Sequence, residues 1–233
     1  MSSDYGYIPQ AIHPELADAR SRFVARTYMH LLGAILAFTG LEIFLFQSGM
    51  AASIAQAMLG TSWLLVLGGF VVVSWIASRV AHTVKSVPAQ YAALAAFVVA
   101  EAIVFVPLLF IASVTAPGVI KSAASVTLFG FAGLTAVAMI TRKDFSFLRG
   151  LLMWGGIVAL VLIVAGTIFG FDLGTYFSVA MVALAGASIL YDTSNVIHHF
   201  PEDRYVAAAL ELFSSVALMF WYVLRLFIGG SRN

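Results

Sequence analysis

TYFSVAMVALAGASILYDTSNVIHH, Thr175–His199, decides how this chain is read. Its run Thr175–Ile197 is long enough to cross a membrane as a helix, which takes about 20 residues against about 30 Å of hydrocarbon. Its last turns are different: from Ser188 onward it carries Asp192 with no adjacent cation. On a helix, Ser188, Asp192, Asn195 and His199 step by four, three and four, so they share one face. A polar stripe at the end of a membrane span requires partners from other spans, since unpaired polar groups are costly there.

The whole chain has the same character. Of 233 residues, 62% are hydrophobic and 10% charged, and the mean hydropathy is +1.01. A soluble domain of this size has too little polar surface to cover so much apolar material, so the fold class is an all-α membrane protein. Seven apolar runs are expected as spans: Tyr28–Ser48, Trp63–Arg79, Tyr91–Ser113, Ala123–Ile140, Gly150–Gly170, Thr175–Ile197 and Val206–Ile228. The short link around Phe171–Gly174 makes spans five and six an antiparallel pair. The expected organisation is an N-terminal tail over 1–27, one membrane domain over 28–230 and a short C-terminal tail over 231–233. The first 27 residues are polar and charged, so no cleavable signal peptide is expected among them.

Basic residues set the expected orientation. Arg20, Arg22, Arg26, Arg79, Lys85, Arg142, Lys143, Arg149 and Arg204 fall on one side, against Lys121, Arg225 and Arg232 on the other. The positive-inside rule then puts the N-terminus in the cytoplasm and the C-terminus outside. Asp192 lies near the cytoplasmic end of span six, and Glu211 and Ser215 enter span seven to a comparable depth. Two acids close together in low dielectric cannot both ionise cheaply, which is a physical basis for a pH-sensitive gate. Glu101 near the middle of span three and Glu42 in span one each read in two ways. Each is either a carboxyl hydrogen-bonded to a neighbouring helix or a station on an ion path.

Several classes are excluded. A net charge of +1 gives no nucleic-acid signal, and the absence of cysteine removes disulfides, thiolate nucleophiles and cysteine metal sites. His198-His199 with Glu202 and Asp203 reads as a solvated loop and not a metal site. Gly-x-Ser-x-Gly, His-Glu-x-x-His and phosphate-loop signatures are missing, and no lysine is buried for a Schiff base, so neither an enzyme nor a cofactor is expected.

Three segments carry a resemblance: Arg26-Thr27-Tyr28, Thr141–Leu148 (TRKDFSFL) and Ile189–His198 (ILYDTSNVIH). Together they resemble the Bax inhibitor-1 (TMBIM) family, most closely its bacterial YccA-like branch. The resemblance implies a bundle with span seven central and the other six around it, in a bacterial inner membrane. It also implies one of two activities. Some members are pH-sensitive calcium leak channels closed by aspartates on spans six and seven with a basic residue on span two. YccA-like members instead bind and restrain the membrane protease FtsH. By position, Asp192 matches the span-six aspartate and Arg79 the span-two base. Counting back from Leu224-Arg225, the span-seven position is Ser215, as in the YccA-like branch, with Glu211 one turn earlier as a second carboxylate. Pro107 of span three is kept, whereas the glycine before it is Val106. The buried acids favour a calcium leak with Asp192 in the gate; a protease regulator without transport is the alternative.

Overall fold

The computed structural model describes residues 14–231, with side chains from residue 18 onward. The first thirteen residues of the expected tail, together with Arg232 and Asn233, lie outside the described residues. The described chain forms eight helices: α1 (Pro14–Gln47), α2 (Met50–Leu59), α3 (Trp63–Thr83), α4 (Val87–Thr115), α5 (Val119–Thr141), α6 (Leu148–Phe169), α7 (Gly174–His198) and α8 (Tyr205–Gly230). All except α2 are long and apolar enough to span a bilayer, so α1 and α3 to α8 are spans one to seven. No strand occurs among the described residues.

Two features depart from the expected outline. Helix α1 has 34 residues, about 51 Å at 1.5 Å per residue, which exceeds the hydrocarbon by several turns. Its first turns therefore continue the span beyond the basic end of the bundle. There Phe23 stacks on Phe200 at 6.4 Å, and Nη1 of Arg20 donates to the Phe200 carbonyl at 2.7 Å. A cation on the carbonyls that end α7 satisfies acceptors the helix cannot pair itself. The second departure is α2, which fills the link between spans one and two. Gly49, at φ 78°, turns the chain sharply out of α1, a conformation that costs a residue with a side chain more. Ala51 and Ala55 then bury against Leu45 and Val106.

Span seven is the most buried span and span three the next. Spans one, two, three, four and six pack directly on span seven. Small residues make this possible: Ala207, Ala208 and Ala209 are fully buried, so neighbouring backbones approach closely. Span five is the exception to the expected ring of six. It leans on span six and touches span two, with no close backbone neighbour in span seven. Only Ala159 and Gly166 of α6 are buried, and Leu151, Trp154, Val161 and Phe169 are exposed along it. The space between spans five and seven is a cavity.

Candidate functional site

Span six ends among its neighbours and does not run freely into solvent. The polar residues of its last turns divide between their own helix and three other elements. Ser188 back-bonds to the Leu184 carbonyl of its own helix at 3.1 Å. The Ser215 hydroxyl on α8 donates to Oδ2 of Asp192 at 2.5 Å, and both residues are 7% exposed. Thr193 meets the Tyr28 hydroxyl on α1 at 3.2 Å. Ser194 accepts the backbone N–H of Phe145 at 2.9 Å, which pins the link between spans four and five to span six. Asn195 is half-buried, and its carbonyl accepts from the N–H groups of His199 and Phe200. His199 is exposed and reaches Oδ2 of Asp144 at 3.2 Å. The backbone N–H of Ser146 donates to the Asp144 carboxyl and holds it below the usual carboxylate range, with the two nearby histidines adding to the effect.

Glu211 does not pair with Asp192. Its Oε1 lies 2.8 Å from Nε2 of His82 on span two. The other ring nitrogen of His82 faces the Ser78 carbonyl at 2.7 Å. Both ring nitrogens thus face oxygen acceptors, so either His82 carries two N–H groups or Glu211 carries the proton it shares with His82. Glu211 and Ser215 are one turn apart on α8, so the His82–Glu211 pair lies one turn nearer the start of span seven than the Asp192–Ser215 bond. Arg204, entering α8, donates to the Val84 carbonyl at 2.7 Å and closes the end of span two over this cluster.

Arg79 is not in the cluster. It is exposed, and its guanidinium lies over the Trp75 ring at 5.6 Å. Residues 75 and 79 are one turn apart on the outward face of α3, whereas position 82 faces α8. The basic group that span two brings to the acids is therefore His82. The expected span two, Trp63–Arg79, stopped three residues short of His82 and so left it out, whereas the helix runs on to Thr83. The available signal was its depth, opposite Glu211.

The two remaining acids behave differently. Glu42 is 7% exposed, and both its carboxyl oxygens are buried without a hydrogen-bond partner. Glu101 is the middle residue of the 29 in α4, is equally buried, and makes no hydrogen bond or ion pair. It borders the cavity beside span five, about 540 Å³, together with Phe105, Ser214, Trp221 and Tyr222. At the end of this cavity away from the basic cluster stand Asp172 and Arg225, 3.9 Å apart. Ser188, Asn195 and His199 line no part of it. No group of three or more His, Asp or Glu residues able to hold a metal occurs among the described residues.

The sequence has counterparts among known proteins. The family model described as inhibitor of apoptosis-promoting Bax1 matches residues 20–233. The chain belongs to the Bax inhibitor-1 family. Among curated relatives, an uncharacterized protein of Pseudomonas aeruginosa is 36% identical over 110 residues, 47% of this chain and 49% of that one. The Modulator of FtsH protease YccA of Escherichia coli is 34% identical over 116 residues, 49% of this chain and 52% of that protein. An uncharacterized membrane protein of Vibrio cholerae is 29% identical over 117 residues, 47% of this chain and 49% of that one. The matched stretch spans about half the length of the curated relatives.

Proposed function

We propose that this protein is a gated cation leak in a bacterial inner membrane, with calcium as the permeant ion. In this reading its N-terminus is cytoplasmic and its C-terminus outside. The carrying observation is the step between two adjacent residues of span seven. Ser214 lines the cavity that reaches Glu101, while Ser215, next along the helix, is engaged by Asp192. An ion entering past Asp172 and Arg225 would travel to the middle of the bundle and stop there. Beyond the stop lie Glu211 and His82, and then the basic end. A cavity of this size admits an ion with much of its water, and carboxylates are the ligands calcium favours.

Opening requires loss of the Asp192–Ser215 contact. Protons are the natural agent, because the contact is flanked by a carboxylate and an imidazole that share a proton, with Tyr28 near from span one and Arg204 from the entry to span seven. Calcium flux into proteoliposomes, measured at a series of pH values, tests the reading. Wild type is expected to change its flux across about pH 6–8, and Asp192→Asn to lose that dependence. Equal leaks at every pH would remove the gate.

A second reading is favoured by one finding, the 34% identity to a protein named as a modulator of the FtsH protease. In that reading the chain binds the membrane protease FtsH and carries no ion. The docked link at Phe145 and the braced start of α1 would then present a fixed basic surface to it. Co-purification with the protease in mild detergent, with no calcium flux in proteoliposomes, would select it.

A further inference from the structure

We propose that the cavity between spans five and seven is a binding site for a lipophilic organic cation, held by the Glu101 carboxylate and its aromatic walls. The inference goes beyond the gate, since it needs only the cavity and stands whether or not ions pass Asp192.

Three observations lead there. The first is Glu101 itself: it is 7% exposed and has no hydrogen-bond or ionic partner. Its oxygens are unlike those of Glu42, which are sealed in without a partner; the oxygens of Glu101 reach open space, and that space is the cavity. A carboxylate there lacks a counter-ion, and no described residue supplies one. The nearest cation in the wall, Arg225, is drawn to Asp172 at the mouth.

The second observation is the wall. Trp63 and Trp221 lie stacked at 6.0 Å, and Phe105 meets Trp221 edge-on at 5.0 Å; Phe70, Phe171 and Tyr222 complete the aromatic lining. Aromatic faces attract cations, and do so more strongly where water is excluded. The third is the ligand count. A metal ion that came to rest here would need about six oxygen ligands, and Glu101 offers two. A cation in transit can keep its water, but a bound one must bring its own apolar shell. That selects a large organic cation with spread or shielded charge. The volume of about 540 Å³ is within the range of pockets that take drug-sized molecules.

The test uses the full chain in lipid nanodiscs, with equilibrium dialysis of tetraphenylphosphonium and of neutral triphenylphosphine oxide, and with empty nanodiscs subtracted. Wild type should bind the phosphonium saturably at one per chain and prefer it to the neutral compound. Glu101→Gln should weaken the phosphonium by about tenfold or more and leave the neutral compound unchanged. A second measurement needs no variant: labelling of the wild-type Glu101 carboxyl by dicyclohexylcarbodiimide, read by mass spectrometry. Phosphonium should protect it and the neutral compound should not. Binding that cannot be saturated, equal affinity for both compounds, indifference to Glu101→Gln, or labelling unaffected by saturating phosphonium would each overturn the proposal.

Discussion

The acids of the two halves of this bundle are treated in opposite ways. At the basic end, both intramembrane carboxyls have a partner on another span: Asp192 has Ser215 and Glu211 has His82. Toward the other end, Glu42 and Glu101 have none. The basic end is also where chain segments are tied together, by Arg20 on the end of span six, Ser194 on the link after span four, and Arg204 on the end of span two. The other half is tied mostly by apolar contact and holds the cavity. A polar group inside a membrane protein is retained either because it is satisfied or because something outside the chain satisfies it. The carboxyls of the basic end are of the first kind, where the proposed gate puts its closure; the proposed cation site makes Glu101 one of the second kind.

The contrast can be broken by substitution, and the largest effect is expected at Glu42. Replacement by methionine, which fills similar space flexibly, removes two buried oxygens with no partner and should stabilise the fold by about 2 kcal/mol. Reversible unfolding in mixed micelles measures it; a loss of stability would mean that Glu42 has a partner after all. Next is Ser194→Ala, which strips the acceptor from the Phe145 N–H and should cost about 1 kcal/mol. Amide exchange at residues 143–147 should quicken in parallel. A variant as protected as wild type would show the link to be held without that bond.

The smallest effect concerns Asp144. Its carboxyl is held below the usual range by the Ser146 N–H, so it binds protons less readily folded than unfolded. The stability it confers is complete above the ordinary carboxylate value of 3.8 and is lost as the pH falls through the lower folded value. Asp144→Asn should flatten the acid limb of the stability profile there and change nothing near neutrality. An acid limb unchanged in the variant would show that the carboxyl confers no such stability.

How much of this could be read from the sequence depended on whether depth or direction decided the matter. Span number followed from length and apolarity, which the bilayer fixes. Depth alone left Asp192 within reach of both Glu211, six residues into α8 as Asp192 is six from the end of α7, and Ser215, one turn deeper; the family resemblance singled out Ser215. Glu211 had the right depth as well, but its partner depended on direction: it faces His82 across span two, while Arg79, three residues away, faces outward. Helix α2 was not legible, because ten residues are too few for a span and its burial depends on Val106 from a distant helix. The cavity was hidden for a related reason. It exists because span five stands away from span seven, and the apolar run of α6 carries no mark of where that helix leans.

The central claim is that the Asp192–Ser215 contact closes the path, and the cysteine-free sequence permits a direct test. In a double variant, Asp192→Cys with Ser215→Cys, the natural contact is gone and the only two thiols in the protein face each other. Such paired thiolates bind a soft divalent metal such as cadmium. The account predicts that this variant leaks calcium in proteoliposomes at every pH, that micromolar cadmium stops the leak, and that a chelator restores it, while neither single-cysteine variant responds. A double variant that is silent without cadmium, or whose leak ignores it, would contradict the claim.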